Sequence, residues 1–337
     1  MRNLKPLEAA IIYELDKNSS ISLSKIAKKL KKTQQAIKYV VDKLKKEGII
    51  KAFIPLVDYC KLGNYSLFIY GLKLQNVTSK MQQQILQKIA TTEESCALLY
   101  SCSGMYDVLI GTIAKDVYEA KENFNKLFAP FKDKISKCDL YVITKHLTYS
   151  RFYLKNLVEK SNKLVFRDNS KIILASIQKN TNVFKLDELD FKLLYEISKD
   201  SSKKLLDLAS ALNTKPETIW NRKKNLEKNK IICSYTIVLD QFSYNHNFHI
   251  FKLTIDDEKT RQEVFDYLHK PPFVWKILET INPAEFLIFV VFSSKKEEEF
   301  LLNSIKDNFG EKIKFLEFLE VNKIYTFSYF PGGKYTP

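Results

Sequence analysis

The sequence predicts an α+β fold in which one two-part unit is used twice. Three observations predict it: the 337-residue chain aligns with itself at an offset of 182 residues, each half passes from helical to alternating apolar periodicity, and the strand and helix order then repeats. LKPLEAAIIYELDKNSSISLSKIAKKLKKTQQAIKYVVDKLKKEGIIKAF from Leu4 lies without a gap on LDELDFKLLYEISKDSSKKLLDLASALNTKPETIWNRKKNLEKNKIICSY from Leu186. Leu7 meets Leu189, Ala27 meets Ala209, Ile37 meets Ile219 and Leu44 meets Leu226, so the apolar spacing survives where identity does not. A weaker correspondence at an offset of 178 sets LLYSCSGMYDVLIGTIAKD from Leu98 beside KILETINPAEFLIFVVFSS from Lys276, and LTYSRF from Leu147 beside YTFSYF from Tyr325.

The first part of each half carries three helical stripes and a short extended pair. In the first copy these are Leu7, Ile11, Ile12 and Leu15; then Leu23, Ile26, Ala27 and Leu30; then Ile37, Val40, Val41 and Leu44. Ser22 and Thr33 are the expected N-caps of the second and third helices, and Gly48 the expected stop of the third. The brief break at Lys31 and Lys32 has helix-turn-helix length, and IIKAFIPL after Gly48 reads as a wing. In the second part, YSLFIYGLKLQ, KMQQQILQKIA, CALLYSCSG, YDVLIGTIAK, VYEAKENFNKLFAPF and KCDLYVITKHLTY read strand, helix, strand, strand, helix, strand. That is a ferredoxin-like βαββαβ order, with helices on one sheet face. The second copy repeats it, and its uncovered sheet face needs a partner that the other copy can supply.

The expected layout is therefore a winged helix-turn-helix over 1–63, a ferredoxin-like domain over 64–150, and a linker over 151–185. A second helix-turn-helix follows over 186–245, and a second ferredoxin-like domain over 246–337. The linker's surplus of about six positive charges reads as a solvated, partly helical connector.

Charge narrows the function. Lysine and arginine total 54 against 39 acidic residues, a net charge of +15, which favours a polyanionic partner. The surplus is almost all lysine, since arginine stands only at positions 2, 151, 167, 222 and 261. Lysine neutralises phosphate as a point charge, whereas the arginine fork reads guanine edges. Residues 1–63 hold 14 basic and 6 acidic residues against 10 and 9 in residues 186–245, so the first head is expected to dominate phosphate attraction. Expected DNA-contacting residues are Lys28, Lys31, Lys32, Thr33, Gln34, Gln35, Lys38, Tyr39, Lys45 and Lys51 in the first head. In the second they are Lys215, Thr218, Asn221 and Arg222. Trp220 reads either as a stacking group or as an interface indole.

Enzymatic and metal readings find little support. The five cysteines are scattered without a CxxC pair, and no glycine-rich phosphate loop, GxSxG or HExxH occurs. His246 and His249, spaced HNFH at a strand start, read as packing groups. No metal, cofactor or catalytic residue is expected. No run approaches a membrane span and the N-terminus lacks a signal-peptide core, so a cytoplasmic location without membrane association is expected.

The stretch from Leu186 through TIWNRKKNLEKNKIICSYTIVLD resembles the DNA-binding head of the Lrp/AsnC, or feast/famine, transcription regulators. The hairpin around SGMYD resembles the Gly-x-x-Asp turn of that family's amino-acid-sensing domain. The resemblance covers both halves and implies a sequence-specific regulator of double-stranded DNA that self-associates through the ferredoxin-like sheets. Tandem duplication departs from the single-copy norm and suggests a covalent pseudo-dimer with two unlike DNA heads. Gly104 and Asp107 match the effector turn and Tyr106 lies within it, so the resemblance implies an amino-acid effector bound by Gly104, Tyr106 and Asp107. Asn282 and Glu285 replace the turn's Gly and Asp in the second copy. The family commonly places arginine three residues after a core valine of the reading helix; Arg222 keeps it after Ile219, while Val40 stands after Ile37. Two alternatives remain. Sirohaem decarboxylases are similar in architecture, but use histidines and arginines near a hairpin that here has none; a low-specificity architectural DNA-binding protein also fits the lysine-rich surface.

Overall fold

The computed structural model describes all residues except 1, 64, 160–165, 168–172, 177–183, 256, 282–284 and 336–337. Helices α1 (Pro6–Lys17), α2 (Leu23–Leu30) and α3 (Gln34–Lys46) lead into β1 (Ile50–Val57). Next come β2 (Ser66–Leu74), α4 (Ser79–Thr92), β3 (Cys96–Gly104), β4 (Val108–Ala114), α5 (Val117–Phe128) and β5 (Ile135–Thr148). Helix α6 (Tyr153–Glu159) and β6 (Ile173–Ser176) lie between the repeats. The second repeat comprises α7 (Glu188–Lys199), α8 (Leu205–Ala211), α9 (Pro216–Lys228), β7 (Ile232–Leu239), β8 (Asn247–Ile255), α10 (Glu258–Leu268), β9 (Val274–Thr280), β10 (Glu285–Phe292), α11 (Lys295–Phe309) and β11 (Ile313–Phe330). A short β12 (Gly333–Tyr335) closes the described chain. The α+β class and both expected motif orders are present. No helix among the described residues is long and apolar enough to cross a membrane.

Packing does not follow the linear halves. One compact unit holds Met1–Ala52, His146–Ile173 and Tyr235–Glu320; the other holds Phe53–Lys145, Leu174–Ser234 and Val321–Pro337. The first unit thus joins the first three-helix head to the second βαββαβ module, and the second unit joins the first module to the second head.

In the first unit the sheet runs β9-β10-β8-β11, the ferredoxin-like order. Phe289 of β10 faces Ile250 of β8 and Lys276 of β9. Leu253, Val264, Leu268, Ile277, Phe286 and Ile305 belong to one buried cluster between sheet and helices. The end of β5 flanks β9, where the Tyr149 N–H donates to the Trp275 carbonyl at 2.9 Å. The segment expected to be a solvated connector is packed at its start. Arg151, Phe152, Tyr153 and Leu154 are all buried, α6 packs along α1, and the Phe152 ring meets Tyr13 edge-on at 6.0 Å. Aromatic and aliphatic surface at its N-terminal end outweighs the charge farther along, and only the latter was conspicuous in the sequence.

Lys276 is the anomaly of this unit. The first copy has Leu98 at the matching position, yet the Lys276 side chain is 1 % exposed. Burial, with the charge of Arg151 acting the same way, holds its ammonium well below the usual lysine value. The unfolded chain therefore binds this proton more tightly than the folded one, and stability is lost as pH falls below the unfolded pKa. Lys276→Met is expected to raise the melting temperature near pH 7, with a gain that shrinks towards about pH 10. Thermal melts of both proteins across that range check it.

In the second unit the sheet runs β3-β4-β2-β5, with β6 added on β5. Ile69 of β2 faces Gly111 of β4 and Tyr141 of β5. Phe68, Leu72, Leu86, Leu99, Ile110 and Leu127 are among the residues of its core cluster. The later residues of β11 lie beside β3, and Asn322 Nδ2 donates to Ser103 Oγ at 2.7 Å.

Candidate nucleic-acid interface

The first head is built by its caps. Ser22 Oγ accepts from the Lys25 N–H at 3.4 Å to start α2, and Thr33 Oγ1 accepts from the Ala36 N–H at 3.2 Å to start α3. Between them Lys31 takes φ +52°, the left-handed conformation that lets two helices join across a tight turn, and Gly48 at φ +70° ends α3. The second head repeats both bends at the matching positions, with Asn213 at φ +48° and Lys230 at φ +58°. Ile26, Ala27, Ile37, Val41 and Leu44 are buried, which turns the opposite side of α2 and α3 outward.

On that side stand Lys28 in the last turn of α2, Lys31 and Lys32 in the turn, and Thr33, Gln34 and Gln35 at the start of α3. Lys38, Tyr39 and Lys45 follow along α3, and all nine are exposed. Lys28, Lys31, Lys32 and Lys38 make no ion pair with the described residues, and the Tyr39 ring is 72 % exposed. Lys51 is set apart on β1, where its ammonium lies 3.6 Å from Asp240. The exposed face therefore presents the ammonium groups of Lys28, Lys31, Lys32 and Lys38, two amides and a phenol along two helices, a set suited to phosphates and base edges.

Glu8 illustrates how the head is fastened. It reaches back to the Lys5 N–H at 2.9 Å and also accepts from Arg2 at 2.6 Å and Lys43 at 3.1 Å. Burial alone would raise its carboxyl pKa, but these bonds outweigh it and hold the group at about 2.

The second head solves the same problem differently. Asp190, which aligns with Glu8, and the N-cap Asp187 are clamped by Arg222, whose Nη1 lies 2.9 and 2.7 Å from them. The arginine expected to meet DNA is thus engaged at the start of α7, in the part Arg2 and Lys43 play in the first head. The other expected residues of this head are more open: Lys215 and Asn221 are exposed and Thr218 is half-buried. Trp220 is 49 % exposed, with the Lys224 ammonium 5.6 Å from its ring centroid.

The expected effector turn lies between β3 and β4. Gly104 is exposed at φ +110°, and its carbonyl accepts from Lys73 Nζ at 3.0 Å. Asp107 has both oxygens occupied, one by Lys73 Nζ and one by the Leu74 N–H, each at 2.8 Å. Tyr106 points inward, 1 % exposed, with its hydroxyl 2.5 Å from Asp139 and 2.6 Å from the Tyr141 hydroxyl. Burial, then those two bonds, push its phenol well above the ordinary value, so it stays a neutral donor. Gly71 makes room for the ring, since a Cβ there would lie 2.5 Å from a Tyr106 ring carbon. Gly71→Ala is expected to cost about 1–3 kcal/mol, because the tethered ring cannot retreat; urea unfolding of the variant reads it. Asn282 lies outside the described residues, and Glu285 opens β10.

His246 and His249 do not form a pair of ligands. His246 Nδ1 donates to the Tyr244 carbonyl at 2.9 Å, and the His249 ring packs near Phe251, Phe292 and Phe318. Among the described residues no three His, Cys, Asp or Glu side chains are grouped to hold a metal.

A winged helix-turn-helix DNA-binding model matches residues 4–51. An uncharacterized HTH-type transcriptional regulator of Pyrococcus furiosus is 26% identical over 127 residues, 38% of this chain and 81% of the relative. The HTH-type transcriptional regulator LrpB of Bacillus subtilis is 22% identical over 143 residues, 42% of this chain and 95% of that protein. Along nearly its whole length the chain is similar in fold to the siroheme decarboxylase NirDL, with a TM-score of 0.57 over 96% of this chain and 94% of the other at 12% identity. The chain thus carries a winged helix-turn-helix DNA-binding domain over residues 4–51 and uses its helix-turn-helix and βαββαβ parts twice, and it is similar to HTH-type transcriptional regulators such as LrpB, each over less than half of its length.

Proposed function

We propose that this protein is a DNA-binding transcription regulator that acts as a covalent pseudo-dimer. The observation that carries the reading is the exposed lysine-rich face of α2 and α3, where Lys28, Lys31, Lys32 and Lys38 make no ion pair among the described residues, built on the helix-turn-helix that the family model matches. Lys28, Lys31, Lys32, Lys38 and Lys45 meet phosphates, while Gln34, Gln35 and Tyr39 face the groove. The relatives named as transcriptional regulators support the same role. The likeness to a siroheme decarboxylase is one of fold, which carries no chemistry by itself. The pseudo-dimer reading is supported by the duplication of both the helix-turn-helix and the βαββαβ order within one chain.

Genome-wide occupancy followed by footprinting tests the function. A regulator gives defined sites whose preference over bulk DNA survives moderate salt, whereas uniform, salt-labile coating would replace this reading with an architectural one. An amino-acid effector at the Gly104–Asp107 turn has to displace the Lys73 ammonium from Asp107. A thermal-shift screen of the common amino acids against Asp107→Asn reads that step.

A further inference from the structure

The two heads share a backbone but not a surface. At the offset of 182, Lys25, Lys28, Lys31, Lys32, Lys38 and Lys45 become Asp207, Ser210, Asn213, Thr214, Trp220 and Glu227. Residues 22–46 hold nine lysines and one acid; residues 204–228 hold six basic residues and three acids. Several cations of the second head are also occupied. Arg222 is clamped between Asp187 and Asp190, Lys203 pairs with Glu196 at 2.6 Å, and Lys223 is half-buried with its ammonium pKa lowered by burial. In place of ammonium groups, the outward side carries Leu206, 68 % exposed, and Trp220. Phosphate affinity scales with the number of neutralising cations, and acids on the same face oppose it. The core residues Leu208, Ala209, Ile219 and Leu226 stay buried, so the loss concerns the surface alone.

We infer that the chain grips DNA with one hand: α2 and α3 make the phosphate and groove contacts, the second head makes none, and the preferred DNA is a single half-site without two-fold symmetry. The inference rests on the DNA-binding reading above and narrows it to one reading helix per chain. A two-handed chain would instead ask for two half-sites about one helical turn apart.

The test uses the full chain and a short fluorescein-labelled duplex of mixed sequence, titrated at several salt concentrations, with circular dichroism to confirm folding. Lys31→Ala with Lys32→Ala is expected to flatten the slope of log affinity against log salt by about 1.8, two phosphate contacts. Trp220→Ala with Lys224→Ala is expected to leave the slope unchanged and the affinity within about twofold. A second readout needs no variant, because the chain has two tryptophans and Trp275 is only 5 % exposed. Acrylamide quenching of Trp220 is expected to be the same with and without DNA. Protection of Trp220 by DNA, or a slope flattened equally by the second-head variant, overturns the one-handed grip. No effect of the first-head variant removes the DNA reading itself, a separate failure.

Discussion

Replacing Asp16 by alanine is expected to destabilise the protein by about 3–5 kcal/mol, the usual cost of leaving a buried charge without its counter-ion. Asp16 sits near the end of α1 with its side chain 2 % exposed, and Arg151 against it is 4 % exposed. One carboxylate oxygen accepts from the Arg151 guanidinium and from Thr236 Oγ1 at 2.9 Å; the other accepts from the Arg151 N–H at 2.6 Å. The guanidinium also donates to the Ile237 carbonyl at 3.3 Å and lies 4.5 Å from the Trp275 ring centroid. The carboxylate thus ties the first helix of the head to the segment that follows β5 and to the wing strand β7. The second unit omits the device. Ser198 stands where Asp16 does and Tyr329 where Arg151 does, and the buried Ser198 hydroxyl has no hydrogen-bond partner among the described residues. Transplanting that neutral pair, Asp16→Ser with Arg151→Tyr, is expected to recover much of the loss, because it removes both charges together. Equilibrium unfolding of the two single variants and the double variant measures the coupling. A double variant as unstable as the sum of the singles would show that the pair is not the source of the cost.

The second large effect concerns binding. Lys31→Ala with Lys32→Ala is expected to weaken DNA binding on every sequence, by roughly tenfold at moderate salt, because phosphate contacts carry no sequence information. Both side chains are exposed and without ion pairs among the described residues, so folding should be little changed. Gln35→Ala should instead lower the preference for a chosen site over mixed DNA while leaving the salt slope intact, if that amide reads a base edge. Fluorescence anisotropy on both DNAs separates the two effects. Equal loss of affinity on the chosen site and on mixed DNA in the Gln35 variant would mean that Gln35 is another backbone contact.

Much of this was legible in the sequence because it depends on local periodicity. The three apolar stripes of each head, the caps Ser22 and Thr33, the stop at Gly48 and the βαββαβ order are all set by residues within a few positions of one another. The lysine face of α2 and α3 was legible for the same reason: once Ile37, Val41 and Leu44 turn inward, Lys38 and Lys45 turn outward. Ion pairs between distant residues were not legible. Arg222 reads as a DNA contact by its place on the helix, yet its fork closes on Asp187 and Asp190, a pairing 35 and 32 residues away. Nothing local marks Arg151 as the counter-ion of Asp16, 135 residues earlier.

By itself, then, the sequence determined that the chain is a duplicated α+β protein and which helix faces turn outward, because repetition and periodicity are properties of neighbouring residues. Only the tertiary structure decided which head packs with which module, which cations remain free for a polyanion, and where Lys276 and Arg151 lie buried. Those outcomes depend on long-range ion pairs and on strands that continue beyond their own module. They come from contacts between residues far apart in the chain, which no local pattern encodes.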